Sequence, residues 1–124
     1  MSVSHGRGEA LVAVVCRVPL LCEALASSFE GIGDIRSFPG DLEDTDGLLR
    51  SLQPDAVVVD TRPQATAAEP FARDTHTPLV HVLLREQKLR VLRSGDWEVL
   101  QHEDASPEAI RNVLVAGIFG RQPA

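Results

Sequence analysis

The residue of this sequence best suited to chemistry is an aspartate that follows an apolar run. In the stretch DAVVVDTRP, residues 55–63, three consecutive valines lead to Asp60, at the point where a buried strand should give way to a loop. A carboxylate beside a partly buried crevice needs a counter-charge or several hydrogen bonds, because desolvating it unpaired is costly. The question is therefore which groups the fold brings to Asp60.

Two residues at the end of the first apolar run are candidates to lie beside that carboxylate. The run LVAVVC ends at Cys16, and Arg17 follows it. Cys22 lies six residues after Cys16, a spacing that matches neither a zinc-ligand pair nor the C-x-x-C redox motif, so it favours two reduced, packed thiols over a redox or metal role. His81 lies between two valines, and we expect a core or half-buried histidine with a hydrogen-bond partner rather than a metal ligand.

The elements that must position these side chains follow from apolar runs and from their punctuation by Gly, Pro and Asp. Continuous apolar runs predict buried strands, whereas apolar residues repeated every three or four positions predict helices. The predicted strands are residues 11–16, 31–38, 55–60, 78–84 and 96–104, the second of them a weaker edge strand. The predicted helices are residues 18–29, 41–53, a short or kinked segment within the proline-containing 61–76, 85–95, and one that opens at residue 106.

This order of elements predicts a single doubly wound domain of the α/β class. Strict alternation of strand and helix implies parallel strands, right-handed crossovers and helices on both faces. The compact solution is a (βα)5 flavodoxin-like fold with a parallel sheet of order 2-1-3-4-5, whose crevice lies at the carboxyl ends of strands 1 and 3. That crevice would bring together Cys16, Arg17 and Asp60. We expect one domain over residues 11–121, a flexible N-terminus at 1–10 and no output domain.

The composition of the chain argues against several function classes. Its 124 residues are 44% hydrophobic and carry a formal net charge of −6 without a basic run, so we expect no direct nucleic-acid partner. No apolar stretch approaches the roughly 20 residues that cross a bilayer, and the start MSVSHGRGEA lacks the apolar region of a signal peptide. These features predict a cytoplasmic protein that does not enter a membrane.

The sequence resembles the receiver domains of bacterial two-component response regulators, which are chemotaxis-regulator-like. The resemblance spans residues 11 to about 121 and is carried by the stretches VVCRVPLLCEAL, PDAVVVDTRP and HEDASPEAI. In that family an aspartate at the end of the third strand accepts a phosphoryl group, and Asp60 matches that position. The transfer also requires a Mg²⁺ ion, which two acidic residues after the first strand hold.

The positions that support phosphoryl transfer in that family are replaced in this chain. The two acidic metal ligands fall on Cys16 and Arg17, and a neutral thiol with a cation cannot form an oxygen-rich Mg²⁺ site. The family's switch hydroxyl, aromatic switch residue and lysine fall on Leu83, Leu100 and Glu103. The resemblance therefore implies a pseudo-receiver with a relic phospho-acceptor and without catalysis, metal or cofactor. We expect an ion pair between Arg17 and Asp60 in place of the metal.

The expected function is that of a protein-protein interaction module in bacterial signalling or transcriptional regulation. Receivers commonly bind a partner, or a second copy as a homodimer, through the face made by their fourth helix, fifth strand and fifth helix. On that resemblance the candidate interface residues are Leu89, Arg90, Arg93, Trp97, Arg111 and Val113. One open alternative is a working phospho-acceptor in which Glu103 and Asp104 assist Asp60. Another is a small-ligand-binding flavodoxin-like domain, against which the glycine-free loop CRVPLLCEA argues.

Overall fold

The computed structural model describes residues 10–93, 95–100 and 104–119, which form six strands and four helices. The strands are β1 (Ala10–Cys16), β2 (Gly33–Pro39), β3 (Ala56–Val59), β4 (Leu79–Leu83), β5 (Lys88–Arg93) and β6 (Asp96–Leu100). The helices are α1 (Pro19–Ser28), α2 (Thr45–Leu52), α3 (Arg62–Thr75) and α4 (Pro107–Phe119). Of the N-terminus predicted to be flexible, residues 1–9 lie outside the described residues. None of the described helices has the length and apolarity that a membrane span requires.

The strands form one mixed sheet in the order β2-β1-β3-β4-β5-β6. β2, β1, β3 and β4 are parallel, whereas β5 is antiparallel to both β4 and β6. A helix follows each of the first three strands because parallel neighbours can be joined only by a crossover. The α/β class is confirmed, and the first four strands lie in the predicted order.

Two hydrophobic layers, one on each face of the sheet, hold this arrangement together. On one face α1 and α4 contribute the fully buried side chains of Leu25 and Ile110. On the other face α2 and α3 contribute Leu49 and Phe71. β1 and β3 lie between the layers and are buried along their whole length, as their continuous apolar runs predict.

The prediction for the second strand is confirmed, whereas the third helix is longer and more regular than predicted. β2 lies at the edge of the sheet, with Ile35 half-buried at its centre. α3 is a continuous helix of 14 residues rather than a short or kinked segment. Pro63 falls in its first turn, where the fixed φ of proline suits a helix, and Pro70 lies within the helix at an exposed position.

The helix predicted over residues 85–95 is a strand. In a short turn, Gln87 adopts a left-handed φ of 56° and its main-chain N–H donates to the carbonyl of Leu84 (3.3 Å), which returns the chain beside β4 as β5. A connection this short can join antiparallel strands but cannot contain a crossover helix. The (βα)5 alternation and the all-parallel order 2-1-3-4-5 are therefore not confirmed. The predicted fifth strand is β6, which lies at the sheet edge beyond β5.

Candidate functional site

The sheet order brings Asp60 beside the turn that links β1 to α1. β1 and β3 are neighbours, with Val15 paired to Val59, so the residues that follow these two strands emerge at the same edge of the sheet. Asp60 there contacts the main chain of Arg17, directly after Cys16. The predicted juxtaposition of Cys16, Arg17 and Asp60 is therefore present.

Both carboxylate oxygens of Asp60 accept hydrogen bonds from the main chain of this turn. The N–H of Arg17 donates to Oδ1 (2.8 Å) and Oδ2 (3.0 Å), and the N–H of Val18 donates to Oδ2 (3.1 Å). Val18 is the N-cap residue of α1 and makes no side-chain capping bond, while Pro19 has no N–H to donate. Asp60 thus supplies from a neighbouring strand the negative charge that the start of a helix favours.

The side chain of Arg17 does not pair with Asp60. It is exposed, and the ion pairs within the described part of the chain do not include these two residues. The predicted Arg17–Asp60 ion pair is therefore wrong, because Arg17 bonds to Asp60 through its main chain. An N–H held in place by the turn satisfies the carboxylate without ordering a long, rotamer-rich side chain.

The thiol of Cys16 lies beneath this turn and is 6% exposed. Burial raises its pKa, and the negative charge of Asp60 raises it further. A thiol that stays protonated is neither a ready nucleophile nor a ligand for Mg²⁺. Cys22 is half-buried against the same hydrophobic layer, and both cysteines are free. Among the residues whose positions are described, no group of three or more His, Cys, Asp or Glu side chains could hold a metal ion.

The residues that the sequence resemblance matches to receiver switch positions have apolar side chains where they are described. Leu83 ends β4 half-buried, and Leu100 ends β6 and packs on the layer of α1 and α4. Glu103 lies outside the described residues. Asp104, the other proposed helper of Asp60, accepts the main-chain N–H of Ser106 (3.1 Å), and hydrogen bonding with Ser106 lowers its pKa. Asp104 thus forms a local turn at the start of α4.

The predicted interface residues do not form one face. The segment predicted as the fourth helix is β5, so a face made of helix, strand and helix is not present there, while the homodimer stays a prediction. Leu89 is fully buried and cannot belong to a surface. Arg90 and Trp97 lie on the α3 side of the β5–β6 hairpin. The other members are exposed or half-buried at the end of β5 and on α4: Arg93, Arg111 and Val113.

A polar cluster that the sequence analysis did not predict lies on the α3 side of β4, β5 and β6. His81 is 2% exposed, and its Nδ1 accepts hydrogen bonds from Nη2 (3.0 Å) and Nε (3.3 Å) of Arg90. The guanidinium lies 4.1 Å from the ring centroid of Trp97, whose Nε1 donates to Oε1 of Glu69 (3.3 Å). Burial, followed by the positive charges of Arg90 and Arg62, lowers the pKa of His81 to about 4. The prediction of a buried histidine with a hydrogen-bond partner is confirmed.

A cavity of about 810 Å³ lies at the amino end of β4, away from Asp60. Apolar residues of α4 and β5 form part of its wall, and its basic residues are Arg73, His76 and Arg93. Arg73 is engaged there by Glu69 (Nε to Oε2, 2.7 Å) and by the carbonyl of Gly95 (2.5 Å).

Comparison with protein-family models, curated proteins and solved structures finds no match to this chain.

Proposed function

We propose that this chain is a non-catalytic pseudo-receiver, a protein-protein interaction module of bacterial signalling or transcriptional regulation that Mg²⁺-dependent phosphorylation does not switch. The proposal rests on one observation: main-chain N–H groups engage both oxygens of Asp60. The resemblance of three sequence stretches to receiver domains suggests the family, and the order of the first four strands supports it. A protein partner and a cytoplasmic location belong to the same proposal.

The surroundings of Asp60 lack what a phosphoryl acceptor needs. Such an acceptor requires an oxygen lone pair that is free to attack and a cation that offsets charge on the phosphoryl oxygens. Here main-chain N–H groups engage both carboxylate oxygens, β1 ends in the buried thiol of Cys16, and the residue that follows it is an arginine. Oriented donors and metal ions each typically contribute several kcal/mol to such a transition state, so losing them together slows the transfer by many orders of magnitude.

Incubation with acetyl phosphate and Mg²⁺ is expected to leave the mass of the wild-type chain unchanged. Intact-mass spectrometry of the wild type and of Asp60→Ala, with an authentic receiver domain treated in parallel as the positive control, makes the measurement. A gain of one phosphoryl group in the wild type but not in Asp60→Ala would overturn the proposal and identify a working phospho-acceptor.

A further inference from the structure

The α3-side face of the β5–β6 hairpin is only partly covered. In the described part of the chain no helix lies between β4 and β5, and α3 packs on β3 and β4. Val99 is paired with Arg90 across the hairpin and is 38% exposed, so an apolar side chain meets water next to a guanidinium. We define the Arg90 surface as Arg62, Arg90, Trp97 and Val99.

Arg90 is a half-buried cation that has no carboxylate partner among the described residues. Its Nε and Nη2 are 3.3 and 3.0 Å from Nδ1 of His81, which is neutral at pH 7. Within residues 10–93, 95–100 and 104–119, its Nη1 makes no hydrogen bond and its guanidinium makes no ion pair. A partly desolvated charge without a counter-charge is costly, and an incoming carboxylate would offset that cost.

The charges around Arg90 leave an excess of positive charge at this surface. Burial lowers the pKa of Arg90, and the positive charge of Arg62, exposed at the start of α3, lowers it further. Glu69 opposes these effects, but its Oε2 accepts from Arg73 (2.7 Å) and its Oε1 accepts from Trp97 (3.3 Å). The Arg90 surface is therefore locally positive in a chain whose net charge is −6.

We propose that the Arg90 surface binds a segment of a partner protein in which an Asp or Glu lies next to a large apolar side chain. The carboxylate accepts a hydrogen bond from Nη1 of Arg90 and pairs with Arg62, while the apolar side chain covers Val99 and Trp97. Arginine and tryptophan are frequent anchors of protein interfaces. This inference rests on the proposed role as an interaction module and adds the binding face and the chemistry of the partner.

The charge and shape of the surface favour a protein segment as its occupant. A net charge of −6 repels a polyphosphate, with its several negative charges, more strongly than it repels a single carboxylate, for which the local positive charge is the larger effect. Small ligands favour enclosed sites, and the cavity of about 810 Å³ lies elsewhere, at the amino end of β4. The open face of the hairpin instead suits an extended or helical segment that lies across it.

Selection from a random peptide library displayed on phage tests the inference. The wild-type chain is one bait, and the double variant Arg62→Gln/Arg90→Gln is the other. We expect the wild type alone to enrich peptides that carry Asp or Glu beside Leu, Phe or Trp. A synthesised peptide from that pool should change the fluorescence of Trp97, the single tryptophan of the chain. Its affinity should fall about tenfold in Arg90→Gln, because a half-buried guanidinium–carboxylate pair is lost.

The controls separate loss of binding from loss of folding. Arg36→Gln removes the same charge from an exposed site on β2, at the other edge of the sheet, and should bind as the wild type does. Arg62→Gln changes an exposed side chain and should weaken binding without altering the thermal unfolding curve. Val99→Glu should abolish binding by repelling the carboxylate.

Three outcomes would overturn the inference. They are selected peptides without acidic residues, equal binding to the double variant, and no enrichment that distinguishes the two baits. Equal binding to both baits would show that the Arg90 surface is not the binding face, and the proposed role as an interaction module would still stand. The mass of the intact chain after phosphodonor treatment is measured in a separate experiment. Failure of the proposed function and failure of this inference therefore give different results.

Discussion

Lowering the pH from 6.5 to about 4 is expected to reduce the free energy of unfolding by about 3 kcal/mol through His81 alone. Burial and then the positive charges of Arg90 and Arg62 lower the pKa of His81 from 6.5 to about 4. Between these two values the unfolded chain binds a proton that the folded chain does not. The contribution of the neutral ring is therefore complete above pH 6.5 and is lost as the pH falls towards 4. A protonated Nδ1 also can no longer accept from Arg90.

Urea unfolding across this pH range, followed by circular dichroism for the wild type and His81→Gln, measures the effect. Glutamine retains an oxygen that can accept from Arg90 but gains no proton, so the stability advantage of the wild type should shrink as the pH falls. Comparison of the two proteins removes the contribution of carboxylates that do not interact with His81. Parallel curves for the wild type and His81→Gln would contradict the prediction.

The central strands could be predicted from the sequence, whereas the β5–β6 hairpin could not. β1 and β3 are covered on both faces, so their apolar runs have a single interpretation. In KLRVLR, Leu89 and Leu92 are three residues apart and fit one face of a helix. In the sheet they enter opposite layers, Leu89 beneath α4 and Leu92 beneath α3. The turn before this segment makes it a strand rather than a helix. In that turn Gln87 has a positive φ, a conformation that few non-glycine residues adopt.

The position of Asp60 was predictable, but the atoms that bind it were not. Parallel order alone places the residues after β1 and β3 side by side, which is why Arg17 and Asp60 meet. The choice of main chain over guanidinium depends on the local turn, where Val18 cannot cap α1 and Pro19 lacks an N–H. The partner of His81 could not be predicted for a different reason. The sequence predicts a helix at Arg90, and a residue in a helix does not pair with β4.

Replacing Asp60 with alanine is expected to weaken the fold. In Asp60→Ala the N–H groups of Arg17 and Val18 lose their acceptor, and α1 loses the negative charge at its start. The turn is exposed, so water restores part of the lost bonding, and we expect the free energy of unfolding to fall by about 2 kcal/mol. Urea unfolding measures this loss. Hydrogen exchange at the amides of Arg17 and Val18 should become faster in the same variant.

Two further variants show whether the carboxylate acts as a cap of α1. Asp60→Asn retains one acceptor oxygen and should lose about 1 kcal/mol. Asp74→Ala removes an exposed partner of Arg50 and should change the free energy of unfolding much less than Asp60→Ala does. Unchanged stability and exchange in Asp60→Ala would contradict the capping role and leave phosphoryl acceptance as the reason for a carboxylate after β3. A loss of stability with no mass gain would mean that Asp60 supports the scaffold and does not accept a phosphoryl group. An interaction module requires such a scaffold, because its binding face must keep one conformation.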